Sequence, residues 1–217
     1  MKIIFVRHGQ TTWNAESRYQ GHSDSPLSRL GILQAERASE RLASEVISAV
    51  YSSDLSRAMD TAQIIAAPHN LTPIADCRLR EVCFGDWEGL TVGEIRRKYE
   101  ALFANYRKDS ITNRAPNGER LEALQERVVL SVEEISRRHP DGTVVIATHG
   151  GPIRAFICHA LDADLLTFRK IGLDNAALTC FHLKNGGRWM LERMNDSCHL
   201  QGLETPLGHD ETAADKG

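Results

Sequence analysis

The sequence has no long apolar run and no cysteine framework. No stretch of 18 apolar residues occurs, which is the length that a membrane-spanning helix needs. Only four consecutive apolar residues follow Lys2, too few for the core of a signal peptide. The five cysteines are odd in number and form no C-x-x-C pair, so neither a disulfide framework nor a cysteine zinc site is indicated. We therefore expect a soluble, cytoplasmic protein.

The sequence also lacks a basic excess and the glycine motifs of nucleotide-binding proteins. Its formal net charge of -3 argues against binding to nucleic acid or to an anionic membrane surface. Neither G-x-G-x-x-G nor a P-loop occurs. Asp and His residues do not cluster at the short spacing of a metal site. We expect no metal and no other cofactor, and an anionic substrate would have to be held by local cationic groups.

Short apolar runs alternate with helical patterns along most of the chain. The runs at residues 3–6, 49–52, 72–75 and 143–148 are rich in Val and Ile and predict buried parallel strands. Asn185-Gly186 lies between two further apolar runs and favours a hairpin, so one strand should be antiparallel. The predicted fold is therefore α/β, a three-layer α/β/α sandwich with a mostly parallel central sheet.

The length of 217 residues suits one domain, which we place at residues 1–203. Residues 204–217 lack a periodic apolar face and are predicted to form a flexible C-terminal tail.

Helical periodicity and capping signals predict helices after Ser28, Asp54, Thr91, Gly118 and Pro152. The predicted buried stripes are Leu30, Leu33, Ala38, Leu42 and Val46 in the first helix, Val92, Ile95, Tyr99, Leu102, Phe103 and Tyr106 in the third, and Leu121, Leu124, Val128, Val132 and Ile135 in the fourth. We interpret these stripes as core.

Two of the predicted strands end in the same dipeptide. His8-Gly9 follows the first strand, and His149-Gly150 follows the strand at 143–148. Ligands of open α/β sheets bind outside the carboxyl ends of the strands, so the two histidines can face one site. Each following glycine lets the backbone approach a ligand and offers an amide to an anion. Arg7 adds a planar cationic fork that suits two phosphate oxygens, so phosphate is the predicted ligand.

Four motifs in this order resemble those of the histidine phosphatase superfamily, the phosphoglycerate-mutase-like proteins. They are RHGQTTWN at 7–14, SSDLSRAMDTA at 52–62, LREVCFGDWEG at 79–89 and ATHGGPIRA at 147–155. The resemblance implies a phosphohistidine mechanism in which His8 attacks phosphorus, while Arg7, Arg57 and His149 hold the phosphoryl oxygens. It further implies phosphate contacts from Asn14, Gln20, Gly21 and Gly150, and a general acid and base at Glu81.

Physical reasoning supports these roles. A phosphate monoester carries nearly two negative charges, which two arginines and a protonated His149 would offset. His8 must attack in its neutral form, with its other ring nitrogen donating to a backbone carbonyl. Glu81 rests on the motif alone, and Asp86 and Glu88 are alternative acids.

Hydrolysis, transfer and inert binding are three outcomes that the motifs allow. The segment APNGERLEAL resembles the phosphatase branch, and the paired-arginine, proline-rich insertion of the mutases is absent. A phosphatase acting on a small phosphate monoester is therefore predicted. A 2,3-bisphosphoglycerate-dependent mutase is the alternative, and an inactive binding protein is a remote one. Sugar phosphates, phosphoglycerate derivatives, phosphoserine and α-ribazole phosphate are candidate substrates, and a homodimer is the first candidate assembly.

Overall fold

The protein is described by a computed structural model that covers residues 1–184 and 186–203. Its sheet contains β1 (Lys2–Arg7), β2 (Ile47–Ser52), β3 (Ile74–Ala75), β4 (Thr143–Thr148), β5 (Leu178–Lys184) and β6 (Arg188–Asp196) in the order β3-β2-β4-β1-β5-β6. Within the described residues, β5 alone runs against the other strands, since it is antiparallel to both β1 and β6. The predicted mostly parallel sheet with one antiparallel strand is confirmed.

Helices cover both faces of this sheet. The helices are α1 (Thr12–Ala15), α2 (Arg29–Leu42), α3 (Ser56–Ala66), α4 (Val92–Lys98), α5 (Glu100–Lys108), α6 (Leu121–Arg138) and α7 (Gly150–Ala160). Ile3 and Phe5 of β1 belong to the core formed with α6 and α7, whereas Ile4 and Val6 belong to the core formed with α2 and α3. Because successive side chains of a strand point to opposite faces, β1 serves both cores, and the three predicted layers result.

The pairing of β1 with β4 sets the position of the two histidines. The strands are parallel, and their last residues, Arg7 and Thr148, are register partners. The residues that follow, His8 and His149, therefore leave the sheet at the same edge and the same level. The sheet topology thus produces the juxtaposition that the sequence predicts.

The helix predicted after Thr91 is divided in two. The capping box of Thr91 and Glu94 forms as expected, but Tyr99 leaves the helical region at φ -132° and ψ 38°. The centroids of the Tyr99 and Trp87 rings are 6.4 Å apart. The hydrophobic pattern of the sequence does not indicate this packing, because it runs unbroken through Tyr99. Because α5 starts anew after Tyr99, its buried face differs from the predicted one, and Leu102, predicted to be core, is 48% exposed.

The stripe predicted on α2 is partly wrong. Ser28 caps the helix as expected, but Leu33 and Val46 are exposed. The buried face instead carries small and polar residues, Gly31, Gln34, Ala35, Ala38 and Ser39, together with Leu42. Small side chains there let α2 approach the loop after His8, where a Cβ on Gly9 would lie 2.2 Å from the Gly31 carbonyl oxygen.

Two further boundaries differ from the prediction. The third strand is shortened to Ile74–Ala75, and α7 begins at Gly150 with His149 as its N-cap rather than after Pro152. The predicted stripe of α6 is confirmed in full. Among the described residues, no helix combines the length and apolarity needed to cross a bilayer. The predicted tail at 204–217 and Asn185 of the hairpin turn lie outside the described residues.

Candidate active site

The ends of β1 and β4 place two buried imidazoles side by side. The His8 amide donates to the Thr148 carbonyl at 2.8 Å, and the centroids of the His8 and His149 rings are 5.1 Å apart. Both side chains are almost fully buried. The structure therefore brings the side chains of His8 and His149 together at one edge of the sheet.

The tautomer of His8 follows from its hydrogen bond. Nδ1 lies 2.7 Å from the Gly9 carbonyl oxygen, which can only accept, so Nδ1 carries the proton and Nε2 keeps its lone pair. Asn175 fixes the backbone by donating to the His8 carbonyl at 3.0 Å. Burial, with the charges of Arg57 and Arg7, holds the pKa of His8 well below its usual value. The structure therefore favours a neutral His8 whose Nε2 lone pair is free of the bond to Gly9.

The sequence predicts a protonated His149 beside a bound phosphate. Burial, with the charges of Arg57 and neighbouring groups, lowers the pKa of His149, which favours the neutral imidazole. Nε2 lies 2.8 Å from the Ser53 hydroxyl, whereas Nδ1 is buried without a hydrogen-bond partner in the described part of the chain. If Ser53 donates to Nε2, the proton resides on Nδ1. A neutral His149 then offers an N–H donor without an added charge.

Two arginines supply the positive charge of the site. Arg57 is the second residue of α3 and is fully buried. Its Nη2 donates to the Gly21 carbonyl at 2.7 Å, and its Nη1 donates to the Ser23 carbonyl at 3.0 Å. Arg7 donates to the Leu173 carbonyl. Because both charges lower the pKa of His8, both guanidinium groups act on the attacking imidazole.

Gly21 shapes the loop that holds Arg57. Its φ of 57° lies in the left-handed region, and a Cβ there would stand 2.1 Å from the Glu88 Oε1 atom. The position therefore requires glycine. Gly21 presents its carbonyl to Arg57, so its visible role is to orient the arginine.

Asn14 and Gln20 are buried in one network around Thr11. The Asn14 Oδ1 atom accepts from the Thr11 amide at 3.0 Å, and the Gln20 Oε1 atom accepts from the Thr11 hydroxyl at 3.0 Å. Asn14 also completes the capping box of α1. The network fixes the loop that follows His8.

Glu81 lies against the start of α7. Its Oε1 atom accepts from the Gly151 amide at 3.0 Å and from the Val82 amide at 2.8 Å. A Cβ on Gly151 would lie 2.1 Å from that oxygen, so glycine is needed for the close approach. Gly150 stands beside the same helix start, where an added Cβ would meet Arg154 at 3.4 Å and the Arg7 Nε atom at 3.7 Å. One helix N-terminus thus connects the carboxylate, the second histidine and an arginine.

The alternative acids occupy other roles. Burial raises the pKa of Glu88, but hydrogen bonds from Ser23, His22 and Phe84 outweigh it and lower the pKa overall. Asp86 accepts from the exposed Asn117 side chain at 3.0 Å. Glu88 is thus a carboxylate that stabilises its loop, and Asp86 pairs with a surface side chain.

Three residues that hydrogen-bond to the site were not predicted from the sequence. Asn175 bonds the His8 carbonyl, Ser53 bonds His149, and the Thr61 hydroxyl accepts from the Gly9 amide at 3.1 Å. Ser53 and Thr61 lie inside the SSDLSRAMDTA motif, so their position in the motif could have indicated that they lie near the site. Asn175 lies in a loop with no local signal. The described residues contain no group of three or more His, Cys, Asp or Glu side chains arranged to hold a metal ion.

The two depressed histidine pKa values predict a pH-dependent stability. Below about pH 6.5 the unfolded chain binds protons that buried His8 and His149 do not, so the free energy of unfolding falls as the pH drops. Replacing His8 by Gln should remove about 1 kcal/mol of the loss between about pH 7 and 5.5. Urea unfolding at both pH values measures this. An identical pH dependence in wild type and variant would contradict it.

Comparisons with known proteins identify the family of this chain. Residues 3–197 match the sequence profile of the histidine phosphatase superfamily (branch 1). Phosphoserine phosphatase 1 of Hydrogenobacter thermophilus is 36% identical over 200 residues, 92% of this chain and 94% of that protein. Phosphoglycerate mutase-like protein 4 of Arabidopsis thaliana is 38% identical over 221 residues, 98% of this chain and 94% of that protein.

The solved structure of Bacillus stearothermophilus YhfR superposes with a TM-score of 0.87 at 32% identity. The match covers 92% of this chain and 99% of that one, so the two chains share their overall fold. With the profile match and these relatives, the chain belongs to the histidine phosphatase superfamily (branch 1) and is a phosphoric monoester hydrolase that works through a phosphohistidine intermediate.

Proposed function

We propose that His8 is the residue that carries the phosphoryl group. The observation that supports this most strongly is the Nδ1 bond to the Gly9 carbonyl, which leaves the Nε2 lone pair available beside two arginines. Nε2 attacks phosphorus, the phosphorus–oxygen bond to the alcohol breaks, and Glu81 gives its proton to the leaving oxygen. Water then attacks the phosphohistidine while Glu81 takes a proton back. The phosphorus–nitrogen bond breaks, and phosphate leaves with His8 neutral again.

The remaining site residues stabilise charge on the transferred group. We assign the phosphoryl oxygens to Arg7, Arg57, the Nδ1–H of His149 and the Gly150 amide at the start of α7. Phosphoryl transfer has a charge-spread transition state, so fixed donors supply most of the acceleration. We also assign phosphate contacts to Asn14, Gln20 and Gly21. Asn14 and Gln20 hold this loop through Thr11, and the Gly21 carbonyl holds Arg57.

A small pocket adjoins Glu81 and suggests the leaving alcohol. Arg154 stacks on Phe168, with 5.6 Å from its Cζ atom to the ring centroid, and Arg169 lies 5.3 Å above the Tyr106 ring. The pocket is lined by Tyr19, Glu81, Val82, Phe84, Tyr106, Gly151, Arg154, Phe168 and Arg169. The pocket is narrow, with a cavity volume of about 20 Å³.

Two guanidinium groups in a narrow pocket favour a leaving alcohol that carries a carboxylate. Carboxylates bind such planar forks through paired hydrogen bonds. The names of the relatives agree, since one is a phosphoserine phosphatase. We therefore propose phosphoserine as the first substrate to test, ahead of a phosphoglycerate derivative, a sugar phosphate or α-ribazole phosphate.

The carboxylate preference can be measured with a matched substrate pair. O-phosphoserine and O-phosphoethanolamine differ only by the carboxylate, and we expect kcat/KM to favour phosphoserine by about 10- to 100-fold. The Arg169→Gln variant should lose most of this ratio through a raised KM, while Lys170→Gln, an exposed neighbour of equal charge, should keep it. Equal kcat/KM for both substrates would contradict the proposed substrate class.

The hydrolase assignment has its own test. Wild-type protein in excess EDTA should release phosphate from p-nitrophenyl phosphate, because the proposed donors are side chains and backbone amides. With 3-phosphoglycerate and 2,3-bisphosphoglycerate present, free phosphate should exceed any transferred product. Absence of turnover in EDTA would overturn the metal-independent mechanism, and an excess of transferred product would favour the mutase alternative.

We also propose a cytoplasmic enzyme that acts without nucleic acid, with a homodimer as the first assembly to examine. Support comes from the five free cysteines, which suit a reducing compartment, and from the net charge of -3.

A further inference from the structure

Arg127 of α6 reaches out of its helix and binds the backbone next to Glu81. Its Nη1 donates to the carbonyls of Arg78 and Arg80 at 2.7 and 2.6 Å, and its Nη2 donates to the Glu81 carbonyl at 2.8 Å. Nε and Nη2 also bind the two Glu119 oxygens at 2.7 and 2.8 Å. Five hydrogen bonds therefore fix one guanidinium group, three of them to backbone carbonyls and two to the Glu119 carboxylate.

We call Arg127 with its bonds to the backbone of residues 78–81 the clamp. Glu119 adds contacts to the same segment, residues 77–84. Its carboxylate accepts from the Cys83 amide at 3.2 Å, and its amide donates to the Cys83 carbonyl at 2.8 Å. His22 adds a further contact, since its Nε2 lies 2.9 Å from the Glu81 carbonyl. The Glu81 carbonyl is thus bound both by Arg127 of α6 and by His22 of the loop that contains Gly21.

The segment contains little regular secondary structure, so side-chain contacts hold it. Besides those of Arg127, Arg80 pairs with Asp54 at 2.5 Å and the Thr148 hydroxyl donates to the Leu79 carbonyl at 2.7 Å. The segment consists of a short 3-10 turn, Cys77–Leu79, followed by residues 80–84 without helix or strand. The Glu81 carboxylate must nevertheless stay 3.0 Å from the Gly151 amide. The position of this carboxylate therefore depends on the contacts that fix the backbone carbonyl of Glu81. Arginine suits this task because its planar fork of five N–H donors can bind several acceptors at once, which a lysine ammonium cannot do in a fixed plane.

We propose that Arg127 is a positioning residue that sets the Glu81 carboxylate for proton transfer to the leaving oxygen. This inference rests on the proposed role of Glu81. Arg127 itself touches no reacting atom and acts through three backbone carbonyls. Loss of the clamp lets the carboxylate drift from the leaving oxygen, and a displacement of about 1 Å costs on the order of 100-fold in rate.

Leaving-group dependence distinguishes this role from general structural support. The nitrophenolate of p-nitrophenyl phosphate leaves without much protonation, whereas the serine alkoxide of O-phosphoserine requires an acid. For Arg127→Met we expect kcat/KM to fall about 10- to 100-fold with O-phosphoserine and less than about 3-fold with p-nitrophenyl phosphate. Arg127→Lys should show the same selectivity, because it keeps the charge but loses the fork.

Arg138→Met is the matched control, since this exposed arginine of the same helix pairs with Glu134 and stays away from Glu81. It should lose activity on neither substrate. Glu81→Gln serves as the reference for a missing acid. A uniform loss on both substrates in both Arg127 variants, beside a selective loss in Glu81→Gln, would overturn the positioning role alone. A uniform loss in Glu81→Gln would instead overturn the proposed acid.

Discussion

Replacing His8 with alanine is expected to reduce kcat/KM for p-nitrophenyl phosphate by about four orders of magnitude or more. The variant keeps Arg7 and Arg57, so it still binds phosphate, but the Nε2 lone pair is gone. We do not expect His149 to take over, because its Nε2 is held 2.8 Å from the Ser53 hydroxyl. Steady-state assays in excess EDTA measure the loss.

His159→Ala is the control for this experiment, since His159 is an exposed residue near the end of α7. It should retain the wild-type rate. Thermal unfolding of both variants separates loss of chemistry from loss of fold. Turnover by a folded His8→Ala variant at the wild-type rate would contradict the assignment of the nucleophile.

Replacing Glu81 with glutamine should lower kcat/KM for O-phosphoserine by about 100- to 10,000-fold. Glutamine keeps the size of the side chain and an oxygen that can accept from the Gly151 amide, 3.0 Å from the carboxylate in the wild type. It removes only the proton transfer. With p-nitrophenyl phosphate the loss in kcat/KM should be much smaller, while kcat falls because the attacking water also needs a base.

Glu88→Gln provides the comparison, because Glu88 was the alternative acid of the same motif. Its carboxylate holds the amides of His22, Ser23 and Phe84, so its loss should disturb both substrates alike. A selective loss with O-phosphoserine in Glu88→Gln, and none in Glu81→Gln, would move the acid to Glu88.

The fold was predictable where one periodicity covers a whole element. The stripe from Leu121 to Ile135 is confirmed because α6 is amphipathic along its full length. The pattern failed where tertiary contacts change the phase, as at Tyr99, and where small residues form the buried face, as around Gly31. Close packing of α2 selects against large apolar side chains there, and hydrophobic periodicity does not detect that.

The site was predictable as far as local motifs reach. Arg7 and His8 are adjacent, and Arg57 lies in a motif with Ser53, so residue type and spacing indicate their chemistry. The lowered pKa of His149 could not be predicted, because it depends on burial and on neighbouring guanidinium groups. Arg127 is an ordinary arginine on a helix in the sequence, and only the folded chain shows that its fork meets three carbonyls.

Mapping of the phosphoenzyme tests the central claim most directly. Wild type and Glu81→Gln are mixed with p-nitrophenyl phosphate, quenched rapidly under alkaline conditions that preserve phosphohistidine, digested and analysed by mass spectrometry. We predict one phosphate on the peptide that contains His8, longer-lived in Glu81→Gln than in wild type, and absent from His8→Ala. A phosphate on His149 or on any other residue, or turnover by wild type without a phosphoenzyme at His8, would contradict the account.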